Sequence, residues 1–549
     1  MYQLDCPDVS MYRLLQESAN RHPKACACSF EGRKISYQSL LSQIDRAAQG
    51  LTALGIGKGD KVSICMPNTP QAIVCFYAIN RIGAVANMIH PLSSPEELRL
   101  FLDISQSKLV MTLTGLYDRV LEATQRLTFP CTVLTAHIKY DLPAAKRLLY
   151  PLSKEARRTP RLPAYGHIPW EAVLHLGKGK PLPIDTGRGQ DLAAILYSGG
   201  TTGNPKGVML TNLNFNALAA QTVKACGFAD FAGKRMLSLM PLFHGFGLGL
   251  GIHTPLAVGA QCILMPRFDA KALTHILKKQ TPHVVPGVPR LFEALTELPG
   301  LKKTDLSCVL GVFCGGDTLT PDLKNRVDRF LQDHGSKARL RQGYGLTECV
   351  SATCLEPAAN SRPGSVGRPF DGALYRIFCP HTHKEAAPGQ LGEICISGQT
   401  VMQGYLNCPE ETALILQTHS DGRLWLHTGD LGHMDEDGFV YFHQRLKRML
   451  VCNGYNIYPC QLEQALQLHP KVDKACVVGI ADPKRGQVPK AYVILKPGFT
   501  PDEAIRKDLF NHCAQHIAAY GLPREIIFTD ALPKTALGKT DYRKLEGRQ

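Results

Sequence analysis

Nowhere in the 549 residues do two cysteines stand three apart, although there are nineteen of them. An odd, irregularly spaced set without a Cys-x-x-Cys pair argues against a disulfide framework and predicts reduced thiols in a cytoplasmic protein. Cys379-Pro-His381-Thr-His383 reads as a proline-rich turn between strands rather than as metal ligands. Long apolar runs are missing too. The best window, about Phe246 to Met265, is broken by His253, Pro255 and several glycines, which excludes a membrane span and predicts buried core around a tunnel. The opening Met1-Tyr-Gln-Leu-Asp-Cys-Pro-Asp lacks a basic region before an apolar one, so no signal peptide is expected. Internal repeats and low-complexity tracts are absent.

The two commonest nucleotide loops are also lacking. A Walker A loop needs Gly, four residues, then Gly-Lys-Ser/Thr. Gly203 and Lys206 are separated only by Asn204-Pro205, and Gly538-Lys539-Thr540 has Pro533 where the first glycine belongs. In Gly245-Phe-Gly-Leu-Gly-Leu-Gly251 the glycines fall at every second residue, so no Gly-x-Gly-x-x-Gly can be placed.

What is present is Tyr197-Ser-Gly-Gly-Thr-Thr-Gly-Asn-Pro-Lys-Gly-Val-Met-Leu210. Gly199, Gly200, Gly203 and Gly207 allow sharp bends or close ligand approach. Ser198, Thr201 and Thr202 supply hydroxyls, and Lys206 a cation on a flexible stem. The apolar run Leu192-Ala-Ala-Ile-Leu-Tyr197 predicts a buried strand leading into this loop. A polyphosphate is the ligand that such a loop suits.

Hydrophobic content of 44% and charged content of 20% are ordinary for a globular protein, and the length calls for at least two domains. Lys plus Arg exceeds Asp plus Glu by 15, 62 against 47. The excess is dispersed, with local enrichment from Lys139 to Arg188, and lacks the aromatic interleaving of single-strand binders. It reads as a solvated basic face, with nucleic acid excluded and peripheral contact with anionic lipid at the inner membrane face as the second reading.

Strands are predicted at Lys61–Met66 and Lys108–Leu113, and helices at Pro70–Ile82 and Pro95–Ile104. The alternation predicts an α/β fold with mostly parallel sheets. Residues 136–191 form an irregular basic excursion. Beyond Arg445-Leu-Lys-Arg448, strands at Ala475–Ile480 and Lys490–Leu495 alternate with helices at Pro459–Leu468 and Pro501–Ala519, predicting a small α+β domain on a charged hinge. The boundaries are 1–446 and 447–549.

Two more segments bear chemistry. Gly343-Tyr-Gly-Leu-Thr-Glu348 offers a carboxylate for Mg²⁺ and a tyrosine face for a base. His427-Thr-Gly-Asp430-Leu-Gly432, before the acidic turn Asp435-Glu-Asp-Gly-Phe439, offers an acceptor for ribose hydroxyls or an Asx-turn residue.

In this order the motifs resemble those of the acyl-adenylate-forming superfamily, which includes acyl-CoA synthetases, peptide-synthetase adenylation domains and firefly luciferases. The likeness runs through Tyr197–Gly207, Gly343–Glu348, His427–Gly432, the hinge segment Arg445–Glu463 and Leu532-Pro-Lys-Thr-Ala-Leu-Gly-Lys539. It implies a large N-terminal domain with a small barrel-like subdomain and a mobile C-terminal α+β domain. ATP, Mg²⁺ and coenzyme A are the ligands it implies. By the same resemblance Ser198, Gly199, Gly200, Thr201, Thr202, Gly203 and Lys206 hold the β,γ-phosphates, with Glu348 and Thr201 on Mg²⁺. Tyr344 stacks on adenine, with Gly345, Thr347 and Gly315-Gly316-Asp317 beside it, while Asp430 and Arg445 bind ribose. Lys539 bridges the substrate carboxylate and the α-phosphate, His244 sits at the acyl entrance, and Gly454 lies beside the pantetheine path.

The chain departs from the pattern at Gly199-Gly200, Asn212, Gln444, Arg448 and Gln487. The implied function is an acid–CoA ligase. A medium- or long-chain fatty acid is favoured by the Gly199-Gly200 pair and by a tunnel that Gly245, Gly247, Gly249, Gly251, Gly315 and Gly316 would leave room for. An aromatic acid, or a carrier protein as acceptor in place of CoA, is the alternative.

Overall fold

Thr69 and Ser94 start two helices by the same device. Each hydroxyl accepts the amide hydrogen bond of the residue three further on, and proline occupies the first helical turn. At Ser94 the Glu97 side chain returns the bond, completing a capping box. These helices, Pro70–Arg81 and Pro95–Ser105, connect parallel strands Lys61–Cys65, Val85–Met88 and Leu109–Leu113. The expected boundaries agree to within a residue or two. The computed structural model describes residues 6–547 except 154, 155, 158, 161, 164, 165, 199–204, 229, 381–383, 453, 454, 483, 484, 518–520 and 535–539.

The chain divides into two compact units. The first holds residues 1–375, 396–426 and 438–440; the second holds 376–395, 427–437 and 441–549. In the first, one sheet of eight strands is parallel from Leu192–Ser198 through Val85–Met88 to Ile168–Pro169, and ends in two antiparallel edge strands, Lys206–Thr211 and Gly404–Tyr405. A second sheet of nine strands is parallel through its middle, from Cys26–Phe30 to Leu340–Gly345. Its central strands Gln261–Leu264 and Val284–Gly287 are buried along their whole length, as parallel strands covered on both faces require. Among the described residues the 136–191 excursion carries the short helices Ala144–Leu149 and Trp170–Leu176.

The second unit is α+β. Leu450–Cys452, Gly486–Leu495 and Val472–Asp482 pair antiparallel, and Glu525–Phe528 joins Gly486–Leu495 in parallel. Helices Pro459–Leu468 and Glu503–His516 pack their apolar faces on this sheet through Leu462, Leu466, Ile505 and Leu509.

Candidate functional site

Strand Leu192–Ser198 runs into the glycine-rich segment and the chain returns as Lys206–Thr211, with Ser198 and Lys206 directly paired across the antiparallel ladder. Gly199, Gly200, Thr201, Thr202 and Gly203 lie outside the described residues, as do Gly454 and Lys539, and His381 and His383 of the proline-rich turn. The residues flanking the loop are described, and they hold it at the end of a buried strand.

Lys206 meets two side chains there. Its ammonium lies 4.9 Å from the centre of the Tyr405 ring and 3.9 Å from Glu411. The Tyr405 hydroxyl donates a 2.8 Å hydrogen bond to Glu348. The proposed phosphate cation and the proposed Mg²⁺ ligand are therefore joined through one tyrosine. Tyr405 and Glu411 escaped sequence reading because they reach Lys206 from a short edge strand, Gly404–Tyr405, paired with Lys206–Thr211, and from the helix Pro409–Ile415 that follows it.

Glu348 stands on a short 3₁₀ turn, Thr347–Cys349, followed by Val350 at φ 65°, ψ −57°. With the Ser351 amide bonded to the Cys349 carbonyl at 2.7 Å, this is the rare positive-φ γ-turn, strained for a β-branched residue. Two glycines admit it. A Cβ on Gly245 would come within 1.5 Å of the Val350 carbonyl oxygen, and one on Gly345 within 2.0 Å of that of Ser351. Glu348 is half-buried, and its carboxylate is a hard oxygen donor of the kind Mg²⁺ takes, so the residue present fits that ion.

A cavity of about 80 Å³ opens beside this turn. His244, Phe246, Gly315, Gly316 and Gly345 line it, together with Phe313 and Phe370. Five sequence-derived candidates or their neighbours thus share one wall. His244 is exposed, its Nδ1 accepting from the Phe246 amide at 3.2 Å. The ring of Tyr344 meets that of Tyr375 edge-on at 6.4 Å. Asp317 is exposed and caps its own turn through the Thr318 amide.

Gly247 and Gly249, expected to leave room for a tunnel, are themselves closely packed. A Cβ on Gly247 would strike the backbone of Met240 and Pro241 at 2.0–2.3 Å, and one on Gly249 would meet Leu218 and Val350 side chains at 2.8–2.9 Å. These glycines serve close packing of a π-helical segment, Phe246–His253, not free volume.

In the second unit Asp430 is 2% exposed and pairs with Arg445, Nε to Oδ1 at 2.9 Å. Its backbone turn is held by Glu393. One carboxylate oxygen accepts from the Gly429 amide and the other from His427 Nδ1–H, each at 2.8 Å. Thr428 donates its hydroxyl to the Ile394 carbonyl at 2.6 Å. Cys395 lies 3.4 Å from His427 Nδ1, its thiol pushed up by burial and by the nearby Glu393 carboxylate. Glu393, Cys395 and His427 bring ligand-type atoms within 4.8 Å of one another. The hydrogen bonds already account for that grouping.

Three of the departures from the family pattern, Asn212, Gln444 and Arg448, have structural roles. Asn212 accepts from the Met11 amide and from Asn80, and donates to the Arg188 carbonyl, tying the chain start to the first unit. Gln444 accepts from the Cys460 amide at the start of helix Pro459–Leu468. Arg448 forms a fork on Glu463 at 2.5 and 3.3 Å and lies 3.8 Å over the Tyr542 ring.

Two mostly parallel sheets with a smaller α+β unit make the fold of the adenylating enzymes. The chain belongs to the AMP-binding enzyme family: the family model described as AMP-binding enzyme matches residues 15–406, and that of the AMP-binding enzyme C-terminal domain matches 461–539. It is 33% identical over 549 residues to a long-chain-fatty-acid–CoA ligase of Bacillus subtilis (strain 168), covering 99% of this chain and 95% of the relative. It is 30% identical over 529 residues to 4-coumarate–CoA ligase 1 of Petroselinum crispum, covering 94% and 89%. Among solved structures, ATP-bound MatB from Rhodopseudomonas palustris superposes with a TM-score of 0.80 at 25% identity, over 98% of both chains.

Proposed function

We propose that this chain is an ATP-dependent acid–CoA ligase that forms an acyl-adenylate with release of pyrophosphate, then an acyl-CoA with release of AMP. The observation that carries the reading is the joining of Lys206, at the base of the glycine- and hydroxyl-rich loop, to Glu348 through Tyr405. A carboxylate attacking the α-phosphorus brings like charges together. Cations placed on the phosphates before reaction lower that barrier without later reorganisation. Lys206 is held at the end of a rigid strand pair for that task. Mg²⁺ on Glu348 and Thr201 would add neutralising charge when bound.

In this reading Asp430 and Arg445 take the ribose, and Tyr344, Gly345, Thr347 and Gly315-Gly316-Asp317 take the adenine. Lys539 neutralises the carboxylate and the α-phosphate. Withdrawal of residues 447–549 then presents Gly454 to the thiol, which is why that lysine belongs on a separate domain.

The acid is a medium- or long-chain fatty acid in our reading, supported by a relative of that activity alignable over almost the whole chain. An aromatic acid is the second reading. The cavity at His244 is about 80 Å³ with Phe246, Phe313 and Phe370 in its wall, well below the ~300–1,000 Å³ of ordinary ligand pockets. A compact planar acid asks less side-chain movement of it. A panel of fatty acids of graded length and of cinnamic-type acids, with ATP and CoA and AMP release as the readout, tests the choice. Highest kcat/KM on long chains supports the first reading, and highest kcat/KM on planar acids replaces it with the second.

A further inference from the structure

The helix Ala144–Leu149 and the turn Tyr150–Leu152 present three leucines to solvent: Leu148 is 81% exposed, Leu149 60% and Leu152 73%. No residue of that helix is buried. Single exposed leucines are ordinary on protein surfaces, but three in five residues on one short element are not.

The element is firmly built where it meets the body of the first unit. Tyr150 is buried, its ring edge-on to His137 at 5.2 Å. Arg147 donates to the Tyr140 carbonyl at 3.0 Å, and Arg33 reaches the same oxygen. Lys146 pairs with Glu31 at 2.7 Å. The leucines are therefore carried outward on a fixed base.

Charge around them is one-sided. Between residues 139 and 161 the sequence has Lys139, Lys146, Arg147, Lys154, Arg157, Arg158 and Arg161 against Asp141 and Glu155. Asp141 is buried and Glu31 offsets Lys146, so among the described residues the exposed cations left unopposed there are Arg147 and Arg157, with half-buried Lys139 beside them. An apolar wedge framed by lysine and arginine is the pairing that holds a protein at an anionic bilayer surface. Leucines enter the acyl boundary while the cations stay at the phosphates, and neither contribution is sufficient alone. Among the described residues no helix is long and apolar enough to cross a membrane, so the contact is a surface one.

We propose that the Ala144–Leu152 element docks this protein peripherally on anionic phospholipid membranes, with Leu148, Leu149 and Leu152 inserted and the surrounding basic residues on the headgroups. The test is co-sedimentation of the full chain with vesicles of equal parts phosphatidylglycerol and phosphatidylcholine, and with vesicles of phosphatidylcholine alone. The wild type is expected to sediment with the first, far less with the second, and less at high salt. Replacing the three leucines together by serine is expected to weaken binding about tenfold or more while thermal stability and vesicle-free activity stay unchanged. Lys139→Gln with Arg157→Gln is expected to weaken binding and flatten its salt dependence. Failure of the wild type to bind anionic vesicles, or equal binding by the triple-serine variant, overturns the proposal. So does wild-type self-association, lost in the triple-serine variant, without vesicle binding, because the leucines then cover a second copy.

Discussion

Tyr405 donates its hydroxyl hydrogen to Glu348 at 2.8 Å while its ring lies 4.9 Å from the Lys206 ammonium. One side chain so fixes the distance between the cation and the carboxylate on which the proposed chemistry depends. Tyr405→Phe keeps the ring and removes the bond. A hydrogen bond to a charged group contributes about 1.5–3 kcal/mol, so kcat/KM for MgATP should fall roughly tenfold to a hundredfold. The dependence on Mg²⁺ concentration should shift upward with it. Steady-state kinetics across a Mg²⁺ titration checks both, and an unshifted titration would remove Tyr405 from the arrangement.

Glu393 braces the Asp430 turn from two sides, through Gly429 and His427. Glu393→Ala should loosen Asp430 and raise the KM for ATP several-fold, with a smaller change in kcat. Discrimination between ATP and its 2′-deoxy analogue should shrink in the same variant. Glu393→Gln, which can still accept from the Gly429 amide, should recover part of the discrimination. An alanine variant that loses stability but keeps full discrimination would reduce Glu393 to a packing role.

Arg448 and Glu463 form a mostly buried pair, with side chains 17% and 14% exposed. Glu463 also accepts from the Val477 amide at 2.8 Å. Removing the arginine strands a charge, and losses of about 3–5 kcal/mol are typical of such breakage. Arg448→Met should lower the melting of the second unit while leaving the first unchanged, as followed by hydrogen exchange. Restored stability in Arg448→Met with Glu463→Leu would confirm the pair as the cause.

His253 is fully buried, and burial pushes its pKa down to about 3. A neutral ring satisfies both neighbours, Nδ1 accepting from the Tyr77 hydroxyl and Nε2–H donating to Asn216, each at 3.0 Å. Below the unfolded value of 6.5 the unfolded chain takes up a proton that the folded chain refuses until about pH 3. The stability this group contributes is therefore present above pH 6.5 and lost as pH falls through that window, by about 1.4 kcal/mol per pH unit. Denaturant unfolding at pH 7 and pH 5 should show a smaller loss for His253→Gln, whose amide can serve both partners. Equal losses would place the acid sensitivity elsewhere.

Much of the fold is written locally. Thr69-Pro70 and Ser94-Pro95 mark helix starts through side-chain caps, and helix Pro459–Leu468 has the bounds its pattern predicts. Lys206, Glu348 and the Asp430–Arg445 pair were legible because each sits in a short segment whose residue types already suit its chemistry. Tyr405 and Glu393 were not, since they act on partners 57 and 34 residues away through strand pairing that no local pattern announces. The free space read into Gly245, Gly247 and Gly249 fails for a related reason. A sequence shows where a Cβ is missing, and only packing shows that a carbonyl or leucine occupies the space.

The central claim is tested most directly by incubating the purified chain with ATP, Mg²⁺ and a panel of acids, with and without CoA, and following pyrophosphate, AMP and thioester in the wild type and Lys539→Ala. The account predicts acid-dependent pyrophosphate formation without CoA, AMP and acyl-CoA in equal amounts once CoA is added, and none of these from a folded Lys539→Ala. Undiminished pyrophosphate release by that variant, or AMP formation that ignores CoA and requires a carrier protein, would contradict it.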